Sequence, residues 1–108
     1  MANTFKLKTK NNVGTATSDV YVVPSSTTCV VIGVTLANTS GSGINVGVGI
    51  TRSSTDDVNL MKNVPIPQGS SFEFMSGNKV VLEATDTFTA ESDVNSSLDV
   101  ALTIMEIT

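Results

Sequence analysis

The sequence predicts an all-β chain folded as an antiparallel β-sandwich or jelly roll of about eight or nine strands. Three observations carry this expectation. Apolar residues alternate with polar ones in short runs, at the period of two that a half-buried strand requires. Clusters of Gly, Asn, Ser, Thr and Pro interrupt those runs about every eight to twelve residues. No stretch spaces its apolar residues as a helix would over about ten or more positions.

The first strand is expected over Thr4 to Lys10, where Phe5, Leu7 and Thr9 share one face and Lys6, Lys8 and Lys10 the other. That pattern reads as a half-buried strand whose lysines guard a sheet edge. Asn11 to Ser18 has turn chemistry, and Asp19 to Val23 is a β-branched strand closed by Pro24. After a turn at Ser25 to Thr28, the run C-V-V-I-G-V-T-L-A from Cys29 to Ala37 is apolar on both faces and reads as a central strand. Gly33 within it signals a bulge or a close approach of another group.

Asn38 to Gly43 is a loop without the Lys that a phosphate-cradling loop places after its glycines. Ile44 to Ile50, I-N-V-G-V-G-I, should point Ile44, Val46, Val48 and Ile50 inward. Asn45, Gly47 and Gly49 then form a flat outward face suited to a neighbouring subunit, or a strand that merely tolerates small residues. Arg52 to Asp57 is a polar loop and Val58 to Met61 a short strand. Pro65 and Pro67 make Asn63 to Ser70 an extended connection or an edge. Ser71 to Met75 and Lys79 to Glu83 are expected to pair as a hairpin through the tight turn Ser76 to Lys79. Thr87 to Ser92 and Leu98 to Thr108 complete the set, and the last strand runs to the final residue.

A chain of 108 residues is expected to form a single domain, residues 1–108, with an adequate core. Only 15% of residues are charged, so Ser, Thr, Gly and Asn occupy surface positions where Lys and Glu are usual, a composition suited to protein contact. The net charge of −4 disfavours nucleic acid as a partner. Lys6, Lys8 and Lys10 form either a basic strip for an acidic partner or a solvated strand face. No window has signal-peptide or membrane-span character, so neither export nor a membrane partner is expected. Cys29 is the sole cysteine, which excludes an intrachain disulfide and suggests a small buried thiol.

The chain has no histidine, which closes the Ser-His-Asp and Cys-His routes to nucleophilic catalysis. Paired carboxylates could still do acid and base work, with Asp56, Asp57, Glu83, Asp86, Glu91, Asp93 and Asp99 as candidates. Most of these fall in turns or on strand exteriors. Asp56 and Asp57 form the nearest approach to a calcium site, but adjacent strand residues point opposite ways, so ordinary turn solvation is the alternative. No catalytic residue, metal or cofactor is therefore expected. Asn38-Thr39-Ser40 and Asn95-Ser96-Ser97 match the glycosylation pattern in a chain without an export signal. The aromatic residues Phe5, Tyr21, Phe72, Phe74 and Phe88 are mostly in apolar phase, and Tyr21 could be exposed or could cap the core with its hydroxyl at the rim.

Three segments carry a resemblance: V-Y-V-V-P-S-S-T-T-C-V-V-I-G-V-T-L-A-N-T-S from Val20, M-K-N-V-P-I-P-Q-G-S-S-F from Met61, and N-K-V-V-L-E-A-T-D-T-F from Asn78, with L-T-I-M-E-I-T at the end. The resemblance they mark spans most of the chain, from Val20 to Thr108. The sequence resembles small virion structural proteins of tailed bacteriophages, especially those of marine and cyanobacterial hosts. Ser25 and Ser26 stand where an Ala-Gly turn would be expected, and Thr85 where a Gly would precede Asp86. The resemblance implies a β-sandwich with no site residues to transfer, acting within the virion after assembly in the host cytoplasm. It points to a capsid decoration or cement subunit, to a neck or tail accessory such as a ring, knob or fibre-attachment protein, or to a host-surface or glycan-binding module. Partners would be the major capsid protein or tail and neck proteins, together with further copies of the chain. Candidate docking residues are Lys6, Lys8 and Lys10, and Asn45, Gly47 and Gly49.

Overall fold

A computed structural model describes residues 3–52, 57–74 and 80–108, and these form nine strands. They are β1 (Asn3–Val13), β2 (Ser18–Val22), β3 (Thr28–Asn38), β4 (Ile44–Thr51), β5 (Val58–Ile66), β6 (Ser71–Phe74), β7 (Val80–Leu82), β8 (Thr87–Ser92) and β9 (Leu98–Ile107). One sheet is ordered β1-β9-β3-β6, with β7 also on β3, and the other β2-β8-β4-β5. All pairings are antiparallel.

The pairs β1·β9, β2·β8, β3·β6/β7 and β4·β5 nest one inside the next, the order of one long hairpin rolled over on itself. Of the two architectures the sequence allowed, this is the jelly roll. Between the sheets lie Phe88, Leu36, Leu102, Ile104, Ile66 and their neighbours, all fully buried. They come from alternate positions of both sheets, which is why the period of two was visible in the chain.

Several expectations hold in detail. The register of β3 against β9 slips between Val31 and Gly33, so Gly33 marks a bulge, and a Cβ there would meet nothing within 4 Å, which removes the close-approach reading. Among the described residues β5 pairs only with β4, leaving Pro65 on an edge strand where its missing N–H costs no ladder bond. That strand continues further than expected because Asn63 takes φ 56° and absorbs an extra residue. Asn12, at φ 54°, likewise lets β1 continue to Val13 after a register shift.

Two expectations fail. β6 and β7 do not form a hairpin: both run antiparallel to β3, one opposite Val34 to Ala37 and the other opposite Cys29 to Val31, so they are successive pieces of one strand line. The proposed turn at Ser76 to Lys79 lies outside the described residues. On β1 the two faces are reversed. Phe5 and Leu7 are 70% and 64% exposed, whereas Lys6, Lys8 and Lys10 stand opposite Ile104, Leu102 and Val100 on the core side of the sheet. Cross-strand pairing puts opposed residues on one face, so the buried partners on β9 decide the matter.

Candidate functional site

The outer face of the five-stranded sheet is built by the residues that alternate with the core. Register aligns Phe5, Met105, Val30 and Val81 in one row across β1, β9, β3 and β7. Phe5 and Val81 at the ends are exposed, at 70% and 59%, while Met105 and Val30 between them are half-buried. The flanking rows hold Asn3, Ile107 and Thr28 on one side and Leu7, Thr103 and Gly33 on the other. The central row carries no charged side chain, but exposed Glu83, the next outward residue after Val81, stands at the end of the Thr28 row. Further along, Glu73 lies opposite Thr35 and Asp99 opposite Ala37. A single exposed Val is ordinary; an aligned apolar row is the kind of patch that marks contact with another surface.

Lys6 and Lys8 join a cluster around Tyr21 and Glu106. Glu106 sits at an inward position of β9 and is buried, yet it is fully partnered: Tyr21 donates its hydroxyl to Oε2 and Lys6 Nζ lies 2.8 Å from Oε1. The Lys6 ammonium first, then the Tyr21 hydroxyl, hold the Glu106 carboxyl below its ordinary range. Lys8 lies over the Tyr21 ring at 5.7 Å from its centre, a cation–π distance. Burial and the neighbouring carboxylate raise the Tyr21 phenol well above its usual value, and burial pushes the Cys29 thiol up to about 11. This cluster closes the open side of the sandwich between edge strands β1 and β2. Lys6 and Lys10 are exposed and Lys8 is half-buried.

On the opposite sheet the outward phase of β4 is as the sequence implied, but its glycines do not make a flat face. Gly47 and Gly49 are buried on the floor of a depression of about 200 Å3, walled by Thr17, Asn59, Thr89 and Glu91. A second depression of about 210 Å3 adjoins it, with Asn45, Lys62, Asn63 and Asp93 in its lining. A Cβ on Gly49 would fall 2.9 Å from the Val58 carbonyl oxygen, so the neighbouring backbone favours glycine there. Asn45 remains exposed.

The candidate carboxylates are accounted for one by one. Asp57 accepts the Arg52 amide, Asp93 the Asn45 amide and Asp99 the Asn12 amide, at 3.2, 2.9 and 3.0 Å. Buried Asp86 accepts the Glu83 amide and lies 3.3 Å from Arg52, which also pairs with Glu83. Glu91 accepts the Thr17 hydroxyl. Asp57, Asp86, Asp93 and Asp99 thus cap backbone amides, while Glu83 shares Arg52 with Asp86. Among the described residues no group of three metal-ligating side chains gathers, and Asp56 lies outside those residues. Asn38 of the first glycosylation pattern is buried, its amide donating to the carbonyls of Ser42, Ile66 and Pro67, so it ties two loops together and is closed to modification.

No family model matches the sequence, and no curated protein matches it significantly. Solved structures do resemble it. A protein of Bacillus endospore appendages, which form disulfide-linked pili, superposes with a TM-score of 0.59 at 13% identity over 99% of this chain and 87% of that one. The capsid structure of Helicobacter pylori bacteriophage KHP30 contains a chain with a TM-score of 0.59 at 12% identity, covering 100% of this chain and 94% of the other. The likeness is one of fold. Among the described residues no helix is long and apolar enough to cross a membrane, which says nothing of strands.

The outward alignment of Phe5, Met105, Val30 and Val81 was not foreseen from the sequence. A signal was present in L-T-I-M-E-I-T, where Glu106 falls in phase with Leu102 and Ile104. A carboxylate on a core face needs a cation, and an alternating lysine strand is the obvious source. Placing those lysines inward turns Phe5 and Leu7 outward.

Proposed function

We propose that this chain is a non-enzymatic structural subunit of a tailed-phage particle, and that it serves as a capsid decoration or cement protein on the particle exterior. The observation that carries the reading is the uncharged apolar row Phe5–Met105–Val30–Val81 on a sheet face of a jelly roll in which Asp86 and Asp93 cap backbone amides. Such a face works by covering area. Many copies on a repeating lattice each bury a modest surface, and the sum stabilises the shell because bound subunits favour the assembled state by mass action. The phage sequence resemblance and the fold shared with a phage capsid chain support this reading, while the pilus likeness supports assembly in the broader sense.

Copy number on purified particles tests the assignment. A decoration subunit is expected on the order of hundreds of copies per head, whereas about six, twelve or a few tens would move it to the neck or tail. Addition of the purified chain to expanded heads lacking it should restore their resistance to heat or dilution. Failure to bind any head or tail preparation, together with binding to host envelope polysaccharide, would replace the structural role with a glycan-binding one. The polar depression over Gly47 and Gly49 is the feature such a ligand would use.

A further inference from the structure

We infer that the open edge of β1 takes up, as an added strand, an extended segment of a partner protein that carries acidic residues at alternate positions. The inference rests on the adhesive role proposed above and gives the chemistry of the partner.

The two sheets leave four edges, and three of them are blunted. β2 has five residues and slips register between Asp19 and Tyr21. β5 carries Pro65 and two register shifts, and β6 and β7, which share the third edge, are separate pieces of four and three residues. Short strands, bulges and prolines are the features that stop an edge from pairing. β1 has none of them between Asn3 and Lys10, which pair residue for residue with Ile107 to Val100. Among the described residues this run pairs with β9 alone, and every member except half-buried Lys8 is exposed. Every second residue of an antiparallel edge turns its N–H and C=O away from the sheet, so the run presents a regular row of backbone donors and acceptors to another extended chain.

Side chains set what that chain must be. Opposed residues in a ladder share a face, so an added strand places alternate residues beside Lys6, Lys8 and Lys10 and the others beside Phe5 and Leu7. The inward residues of β1 and β9 include three lysines and one carboxylate, Glu106, a net charge of +2 in a chain whose total is −4. The Lys6 side chain stays 43% exposed although it pairs with Glu106, and Lys10 is exposed opposite Val100. Acids that meet these two ammonium groups keep their contact with water and avoid the cost of burying a charge. A second copy's β1 is the wrong partner, because laid along this run in either direction it sets lysine against lysine, which is unfavourable. The edge thus resists its own kind and accepts an acid-bearing strand, whose other residues, if apolar, extend the row that begins at Phe5.

The test is fluorescence anisotropy of a labelled peptide of about eight residues that alternates Val and Glu, titrated with the full chain to about 1 mM. Binding is expected with a dissociation constant on the order of 100 µM at about 50 mM salt, weakening at least about fivefold at about 300 mM. A peptide alternating Val and Lys should not bind. Two further peptides, N-methylated at every Val or at every Glu, read strand addition directly, since only one set of amides faces β1: one should lose at least about tenfold in affinity and the other should retain it. Lys10→Glu should weaken binding of the parent peptide at least about fivefold, whereas Lys62→Glu, exposed on edge strand β5, should leave it unchanged, with circular dichroism confirming the fold of both variants. No binding by about 1 mM, equal binding of the two methylated peptides or of the Val-Lys peptide, or binding undiminished in Lys10→Glu would each overturn the inference. Particles lacking the chain separate it from the broader reading. Uptake of the chain by such particles with no peptide bound would remove the acidic strand and leave the adhesive role standing. Peptide bound as expected, without uptake by any particle preparation, would support the edge and remove the particle role.

Discussion

Replacing Tyr21 by Phe should destabilise the protein by about 2 kcal/mol at neutral pH, because the loss is that of one hydrogen bond to a buried charge. The ring keeps its place, so no cavity is made. Tyr21 is buried, its hydroxyl donates to Glu106 Oε2, and Glu106 retains only Lys6 at 2.8 Å once the hydroxyl is gone. Hydrogen bonds to charged groups contribute about 1.5–3 kcal/mol, and the middle of that range applies because Lys6 still neutralises the carboxylate. An unfolding entropy of about 2.1 cal/mol/K per residue gives about 0.23 kcal/mol/K for 108 residues, so Tm should fall by about 9 °C. The difference should depend on pH in a defined direction. Since the folded state holds the Glu106 carboxyl below its ordinary value, the stability it confers is complete above the unfolded carboxylate range and is lost as pH falls through and below it. Tyr21→Phe removes part of that contribution, so wild type and variant should converge on acidification. Urea unfolding at pH 7 and pH 3 measures both. A difference below about 0.5 kcal/mol at pH 7, or one of equal size at both pH values, would refute the reasoning.

Further outcomes follow from the same geometry. Gly49→Ala should cost about 1–3 kcal/mol in urea unfolding because its Cβ would fall 2.9 Å from the Val58 carbonyl oxygen, whereas Gly47→Ala, which meets only the flexible Glu91 side chain and the Met61 carbonyl at 3.4–3.5 Å, should change stability by less than about 0.5 kcal/mol. Thr85→Gly should raise Tm by a few degrees, since a β-branched residue at φ 70° is strained by about 1–2 kcal/mol and glycine returns about half of that as chain entropy. Cys29 should resist thiol reagents under native conditions, its reaction rate following unfolding; with its thiol pushed up to about 11, stability should be full below the unfolded thiol value near 9.0 and decline as pH rises towards 11.

How much of this was legible depended on which contacts each residue answers to. Strand positions follow from local alternation and turn chemistry, so β3, β4, β8 and β9 lie within a residue or two of expectation, and the Gly33 bulge and the Pro65 edge were readable. Orientation was harder at the edges. On β1 the amphipathic pattern is genuine, but a strand at the rim can satisfy it either way, and the register against the buried β9 residues, with Lys6 also paired to Glu106 one hundred residues later, sets which face turns in. Lysine stems then cover apolar neighbours while the ammonium reaches the carboxylate. The supposed hairpin failed for a similar reason: residues with turn chemistry also serve to interrupt a strand, and β3 offers one continuous edge to both β6 and β7. Ser26 and Thr85 are instructive, because both stand at positive φ, 58° and 70°, where the phage resemblance placed glycine.

An image reconstruction of the intact particle tests most directly whether this chain works by covering apolar sheet surface. The account predicts repeated copies of a nine-stranded jelly roll in which Phe5 and Val81 are covered by protein, with the Gly47 and Gly49 depression empty of any reacting group. Copies whose Phe5 row faces solvent throughout, or particles that lack the chain altogether, would contradict it.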